Sequence, residues 1–200
     1  AVPLPPAYDK VATLDNGVRE GQTMEALAKL KPFFDRAYGS VTAGNSSQIT
    51  DGAAAVVVAS EEFVAKRKLA PLARIAGWGA AGLEPERMGL GPSRSTPVAL
   101  KHAGVPFGRI GLVELNEAFA AQVLANLAAF EKDPALGAID PEILNPNGGA
   151  IALGHPVGAS ATRLVLTLLR EMKRRKVAYG LATLCIGGGQ GASIVLEGVA

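Results

Sequence analysis

The sequence is poor in the residues that build disulfides and metal sites. It contains one cysteine and two histidines among 200 residues. One cysteine cannot form an internal disulfide, and the two histidines, His102 and His155, lie far apart in the sequence. A zinc ribbon or a Cys/His finger needs about four such ligands at close spacing. The sequence therefore predicts neither a structural disulfide nor a bound metal.

Long apolar runs and clustered positive charge are also missing. A stretch such as Ala53–Ala59 is far shorter than the roughly 20 residues of a membrane helix, so no membrane span is expected. The net charge is +2, and no basic run with interleaved aromatics suggests a nucleic-acid partner. The N-terminus lacks the basic-then-apolar pattern of a secretion signal. We expect a cytoplasmic protein, with the mitochondrial matrix as the alternative.

Apolar residues are nevertheless plentiful, at 48% of the chain, which is enough for a sizeable core. Strand-like and helix-like segments alternate along it. The predicted strands are Ala53–Ala59, Leu72–Ala80, Ile110–Leu115, Tyr179–Ile186 and Ala192–Ala200, and the predicted helices are Thr23–Leu30, one from Ser60, one from Val98, Asn116–Phe130 and one from Ala161. This alternation predicts an α/β layer structure with a mainly parallel sheet, finished by an antiparallel hairpin across glycines 187–191.

Three residues with reactive or polar side chains fall at the ends of predicted elements. Asn116 lies between a strand and a helix, His155 precedes a helix, and Cys185 precedes the glycine turn. Such positions expose side chains and backbone N–H groups to a ligand, and the three types together suggest acyl or carbon–carbon bond chemistry. The alternatives are structural: a helix cap for Asn116, a turn histidine bonded to backbone, and a small apolar residue for Cys185.

Four longer motifs contain these residues. In chain order they are TAGNSSQITDGAA at 42–54, NEAFAAQ at 116–122, NPNGGAIALGHPVGASATR at 145–163 and CIGGGQG at 185–191. They closely resemble motifs of the thiolases, the acetyl-CoA acyltransferases, in family order and at family-like spacing. The resemblance covers nearly the whole chain.

The resemblance implies the fold and the domain organisation. In the thiolase fold two similar α/β domains form a five-layered αβαβα sandwich, with a loop domain inserted in the first. By this resemblance residues 1–48 are the end of the loop domain, residues 49–70 are the last strand and helix of the N-terminal domain, and residues 71–200 are the C-terminal αβα half. We therefore expect the chain to be part of a longer one, because the family's N-terminal portion has no counterpart in it.

The resemblance also implies a role for each residue. Thiolases use two cysteines, and Cys185 corresponds to the acid/base one of the CxGG motif, so the acylated nucleophile would not lie in this chain. His155 would take the nucleophile's proton and help hold a thioester oxygen. Asn116 would hold a water that faces the same oxyanion, and the backbone N–H of Gly187 would serve a second oxyanion hole.

The implied substrates are acyl-CoA and CoA, with no metal or redox cofactor. Ser47 aligns with a serine that touches the pantetheine arm, and Met88 and Phe119 align with apolar residues near the thioester; turn formation and ordinary packing are the alternatives. The expected reaction is thiolytic cleavage of a 3-ketoacyl-CoA, or its reverse. The degradative direction, as in fatty acid β-oxidation, is favoured by a looser resemblance of SSQITDGA and by the long loop between Phe130 and Asn145.

The implied partner is an N-terminal thiolase half, and the whole enzyme is expected to be a homo-oligomer. A half alone would expose a large apolar face, which favours association with another chain. A thiolase-like subunit that binds acyl-CoA or a partner chain without turnover is the alternative function. The presence of Asn116, His155 and Cys185 together weighs against it.

Overall fold

The computed structural model describes residues 2–15 and 17–199, and the chain divides after Gly44 into two units. In the first unit, β1 (Val2–Leu4) and β2 (Lys10–Ala12) pair as an antiparallel hairpin. Helix α1 (Met24–Ala28) lies inside the predicted Thr23–Leu30. The Thr23 hydroxyl caps it by accepting the Ala26 N–H at 3.2 Å, because the first N–H groups of a helix have no partner within it.

The second unit contains a sheet in the strand order β3-β6-β5-β4. Its strands are β3 (Ala73–Gly82), β4 (Leu112–Leu115), β5 (Tyr179–Ile186) and β6 (Gln190–Gly198). The predicted strands of this region and the final hairpin are therefore confirmed. The expectation of a mainly parallel sheet is wrong for the described residues, because β6 is antiparallel to both of its neighbours and β4 pairs with β5 in parallel.

The predicted strand Ala53–Ala59 does not form. Residues 51–59 have neither helical nor strand structure, and Val57 is 97% exposed. A strand needs a neighbour to satisfy its backbone groups, and among the described residues none pairs with this run. Helix α2 (Glu61–Arg67) follows as predicted, and the Ser60 hydroxyl caps it by accepting the Phe63 N–H at 3.2 Å.

Helices cover both faces of the sheet. They are α3 (Gly91–Ala103), α4 (Ala120–Lys132), the single turn α5 (Ala150–Leu153) and α6 (Ser160–Arg175). Alternate residues of the strands point to opposite faces, which gives two cores. One core joins Val113, Leu115, Leu181 and Val195 to residues of α3 and α4, and the other joins Leu112, Ala182 and Leu196 to Leu164, Leu168 and Met172 of α6.

Two helix boundaries differ from the prediction. Helix α3 begins at Gly91 rather than Val98, because Pro92 suits a first turn and Pro97 is accommodated inside the helix. Helix α4 begins at Ala120, with Phe119 at the capping position. Asn116 is therefore not a helix cap, and the structural alternative for this residue is wrong. The spacing of the apolar residues 119, 123, 124 and 127 predicts one buried face for α4, and that prediction is wrong at Leu124, which is 64% exposed.

Among the described residues, no helix combines the length and the apolar character that a membrane crossing requires.

Substitution of Gly79 tests the close packing of α3 on β3. A Cβ at Gly79 would lie 2.6 Å from the Ala99 nitrogen and 2.8 Å from Val98 Cβ, so the helix must shift. We expect Gly79→Ala to lower the free energy of unfolding by about 1–3 kcal/mol, measured by urea unfolding. In the control Gly108→Ala the new methyl meets no atom within 4 Å, so stability should be unchanged or slightly raised. Equal stability of the two variants would contradict the packing.

Candidate active site

The parallel strands β4 and β5 bring Asn116 and Cys185 to the same edge of the sheet. Leu115, the last residue of β4, pairs with Thr183, and the Asn116 N–H donates to the Thr183 carbonyl at 3.0 Å. Cys185 follows two residues later on β5, beside the turn into β6. Asn116 is fully buried and Cys185 is 8% exposed. The carboxyl ends of these strands thus hold two of the three predicted side chains.

His155 reaches Asn116 from the loop between α5 and α6. Gly154 ends α5 with a φ of +95°, a conformation that glycine adopts without strain. The Asn116 side-chain amide lies 3.3 Å from His155 Nε2, and His155 Nδ1 lies 2.6 Å from Ser160 Oγ. The structure therefore confirms that His155 precedes a helix, but its ring is bonded to side chains, so the alternative of a backbone-bonded turn histidine is wrong.

The hydrogen bonds around His155 determine which ring nitrogen carries the proton. Ser160 Oγ lies 3.0 Å from the Pro156 carbonyl, which accepts the hydroxyl proton. The Ser160 oxygen is then an acceptor for a proton on His155 Nδ1. His155 Nε2 is left with its lone pair, toward which the Asn116 amide N–H points. This arrangement gives a neutral imidazole whose Nε2 can accept a proton.

Burial shifts the two titratable groups of the site in opposite directions. It lowers the pKa of His155, and the positive charge of Arg163 lowers it further. Burial raises the pKa of the Cys185 thiol, against a smaller opposing effect of its backbone hydrogen bond. Near neutral pH the site therefore contains a neutral histidine and a protonated thiol. Such a pair can accept one proton and donate another.

Gly187 lies in the exposed turn between β5 and β6. The turn closes because Gly188 and Gly189 adopt φ values of +84° and +85°. A Cβ at Gly187 would meet no atom within 4 Å. The backbone of Gly187, two residues after Cys185, is thus accessible to a ligand atom.

The structure brings Ser47 and Phe119 together. Ser46 and Phe119 form an antiparallel bridge, and the Ser47 N–H donates to the Ala118 carbonyl at 2.9 Å. Both residues therefore lie beside the segment that follows Asn116. Ser47 and Phe119 are each half-buried.

Met88 lies elsewhere in the second unit, on the 3-10 helix Pro85–Leu90. The Asn126 side chain of α4 holds this helix by donating to the Gly89 carbonyl at 2.7 Å. The described contacts do not connect Met88 with Asn116 or His155. Among the described residues, no three His, Cys, Asp or Glu side chains lie close enough to bind a metal ion.

Comparison with known proteins identifies the family. The family model for the thiolase C-terminal domain matches residues 69–198, and the model for the thiolase N-terminal domain matches residues 3–62. The chain belongs to the thiolase family. The resemblance found in the four motifs is thus confirmed.

Individual thiolases are similar over almost the whole chain. An acetyl-CoA acetyltransferase of Rhizobium meliloti is 52% identical over 183 residues, which are 92% of this chain and 44% of the relative. A 3-ketoacyl-CoA thiolase of Bacillus subtilis is 49% identical over 187 residues, 94% of this chain and 46% of the relative. The chain spans about half the length of the curated relatives it matches.

Solved thiolase structures confirm the fold. Human mitochondrial 3-ketoacyl-CoA thiolase in complex with CoA superimposes with a TM-score of 0.83 at 41% identity, covering 98% of this chain and 48% of that one. The Bacillus anthracis acetyl-CoA acetyltransferase gives a TM-score of 0.85 at 41% identity, covering 92% of this chain and 45% of that one. The sheet with helices on both faces is therefore the α/β arrangement of the thiolase fold.

Asn145 and Glu117 make hydrogen bonds that hold the segments around Asn116 and His155 together, and the sequence did not predict a role for either residue. The Asn145 side chain accepts the Leu115 N–H at 2.8 Å and donates to the Leu115 carbonyl and to Glu117 Oε1, each at 2.9 Å. The other carboxylate oxygen of Glu117 accepts the Ile151 N–H at 3.3 Å. These bonds fasten the segment before α5 to the end of β4. Both residues lie inside the quoted motifs, but an Asn-Pro pair is typical of a turn, and a sequence does not show which groups these side chains contact.

Nuclear magnetic resonance of the histidines tests the proton arrangement. The chain has two histidines, so His102→Gln leaves His155 alone to be observed. We expect His155 to titrate below its ordinary value of about 6.5, with the proton on Nδ1. Because the unfolded chain then binds a proton before the folded one does, His155 reduces stability as the pH falls below that value. A raised pKa, or a proton mainly on Nε2, would contradict the arrangement.

Proposed function

We propose that these 200 residues supply the acid/base half of a thiolase. The reaction is the thiolytic cleavage of a 3-ketoacyl-CoA into acetyl-CoA and a shortened acyl-CoA, or the reverse condensation. The observation that carries the proposal is the hydrogen-bonded series of Asn116, His155 and Ser160 at the sheet edge that also holds Cys185. The names of the relatives include both acetyl-CoA acetyltransferase and 3-ketoacyl-CoA thiolase, and the proposal covers both directions.

The proposed domain organisation assigns residues 1–48 to the end of a loop domain, 49–70 to an N-terminal thiolase domain and 71–200 to the C-terminal domain. The exposed run Ala53–Ala59 supports this assignment. Val57 is 97% exposed and Val58 is 73% exposed, as expected of an apolar segment that another part of the enzyme would cover. The acylated cysteine would belong to that part as well, because Cys185 has the acid/base position.

In the first step the nucleophilic cysteine gives its proton to His155 Nε2 and attacks the ketone carbon. The contact of 3.3 Å between Asn116 and Nε2 is long for a hydrogen bond, so an incoming proton donor can replace it. Once protonated, Nε2 becomes a donor, and it would stabilise the oxyanion together with a water held by the Asn116 amide. Such a preorganised donor is worth about 3–4 kcal/mol.

In the second step the bond between the α and β carbons breaks, and its electron pair leaves as the enolate of acetyl-CoA. The Cys185 thiol donates its proton to the enolate carbon, and burial keeps that thiol protonated until then. The resulting Cys185 thiolate takes the proton of an incoming CoA thiol. That CoA attacks the acyl-cysteine and leaves as the shortened acyl-CoA, while the departing cysteine thiolate takes back the proton held on His155 Nε2. The Gly187 N–H, in an open turn, would stabilise an oxyanion near Cys185.

The CoA molecule would pass Ser47 and Phe119. Their pairing beside Ala118 supports a joint role, with the Ser47 side chain toward the pantetheine arm and the Phe119 ring toward the thioester. Met88 is proposed to line the apolar pocket near the thioester, and its 3-10 helix packs against α4, which Phe119 caps. The structure of a related thiolase in complex with CoA supports CoA as the substrate, and the proposed reaction uses no further cofactor.

Substitution of Cys185 separates acid/base catalysis from acyl transfer. In the complete protein, we expect Cys185→Ala to slow the exchange of acetyl-CoA methyl protons with deuterated water by about 10²–10⁴-fold. Alanine keeps the small apolar volume, so the midpoint of thermal unfolding should change little. Mass spectrometry of the product measures the exchange. Exchange at the wild-type rate would contradict the role of Cys185.

Substitution of the two histidines provides a matched pair. We expect His155→Gln to lower kcat for thiolysis by about 10²-fold or more, because the base is lost. His102→Gln changes an exposed histidine on α3 and should leave kcat unchanged. If the complete wild-type protein binds CoA without turnover, the non-catalytic acyl-CoA-binding subunit is the better description.

A further inference from the structure

Two charged side chains that the proposed reaction does not use lie beside the site. Glu114 precedes Asn116 by two residues on β4, so both point to the face covered by α6, and Glu114 is 2% exposed. Arg163 lies on α6, three residues after Ser160. Glu114 Oε1 and Arg163 Nε are both buried, and neither has a hydrogen-bond partner among the described residues.

A buried charge without a counter-charge is strongly unfavourable. Burial raises the pKa of Glu114 to about 7, and the Arg163 guanidinium acts in the opposite direction by stabilising the carboxylate. Glu117 and Glu171 are the other charged groups that act on Glu114, and both raise its pKa. Arg163 is therefore the cation that compensates Glu114 among these groups.

Arg163 also contacts the loop that carries His155. Its Nη2 donates to the Gly154 carbonyl at 3.2 Å. On its other side Gly154 lies against Thr50, because a Cβ there would be 2.6 Å from Thr50 Cγ2. The residue directly before His155 is thus held from two sides.

We propose that Glu114 and Arg163 form a positioning pair for His155. Arg163 holds the Gly154 carbonyl directly and thereby keeps His155 Nε2 next to Asn116, and the buried Glu114 carboxylate attracts the guanidinium from beyond the distance of a direct ion pair. A planar guanidinium is suited to holding the carbonyl because its N–H donors have fixed directions, which a lysine ammonium lacks. Neither Glu114 nor Arg163 touches the reacting atoms in this scheme. The kinetic consequence rests on the proposed thiolase function, and the structural consequence does not.

A double-mutant cycle in the complete protein tests the pair. The variants are Glu114→Gln, Arg163→Met and the two combined, with Arg170→Met as control, because Arg170 is an exposed cation on the same helix. We expect each single variant to lower kcat by roughly 10- to 100-fold through misplacement of His155, with KM for CoA unchanged. The double variant should be no slower than the slower single variant, because the two residues act as one unit.

The pKa of His155, measured by nuclear magnetic resonance, is the second readout. Removal of the Arg163 charge should raise it, since that charge lowers it in the wild type. Arg163→Lys keeps the charge and should keep the pKa low while kcat still falls. This variant also replaces Arg163→Met if the latter fails to fold.

Multiplicative losses of kcat in the cycle would overturn the pair, and so would an unchanged His155 pKa in Arg163→Met. If the wild-type protein has no thiolase activity, the proposed function fails separately. In that case the resonances of the neutral His155 ring, recorded above its pKa in every variant, still decide, because a positioning pair predicts that the changes in the two single variants do not add in the double variant.

Discussion

The parallel pairing of β4 with β5 determines where the reactive groups lie. Its register places Leu115 opposite Thr183, so Asn116 and Cys185 emerge at one edge of the sheet. The core side chains on both faces of these strands stabilise the register by about 1.5–3 kcal/mol each, and a slip by one residue would turn Asn116 away from α6. The site is therefore fixed by the most deeply buried part of the fold rather than by its loops.

Burial also accounts for the electrostatics. The same exclusion of water disfavours an imidazolium at His155 and a thiolate at Cys185, so a base and an acid coexist near neutral pH. In the same surroundings burial raises the pKa of Glu114 to about 7, and the Arg163 guanidinium opposes that rise. Desolvation thus sets the protonation states, and charge sets the position of the loop.

The motifs predicted most of the site, but not the hydrogen bonds of Asn145 and Glu117 that hold its segments together. The sequence predicted Asn116, His155 and Cys185 because each lies at the end of a predicted element, close to a glycine-rich motif or a helix start, where functional side chains are common. The Asn145 side chain makes two hydrogen bonds to the backbone of Leu115, as a neighbouring strand would, although the two residues are 30 positions apart. No local sequence pattern indicates such a contact. The prediction of a mainly parallel sheet failed because the alternation of strands and helices along the chain does not show that β6 inserts between β3 and β5, antiparallel to both. The run Ala53–Ala59 has strand-like residues, but a strand also requires a partner.

The proposed function depends most on the division of labour between two cysteines. We propose that Cys185 transfers protons and that a cysteine outside these 200 residues carries the acyl group. The direct test is to incubate the complete protein with isotopically labelled acetyl-CoA, quench it in acid, and locate the label by peptide mass spectrometry. We predict a labelled cysteine outside this sequence and an unmodified Cys185. A label on Cys185, or none on any cysteine while turnover proceeds, would contradict it.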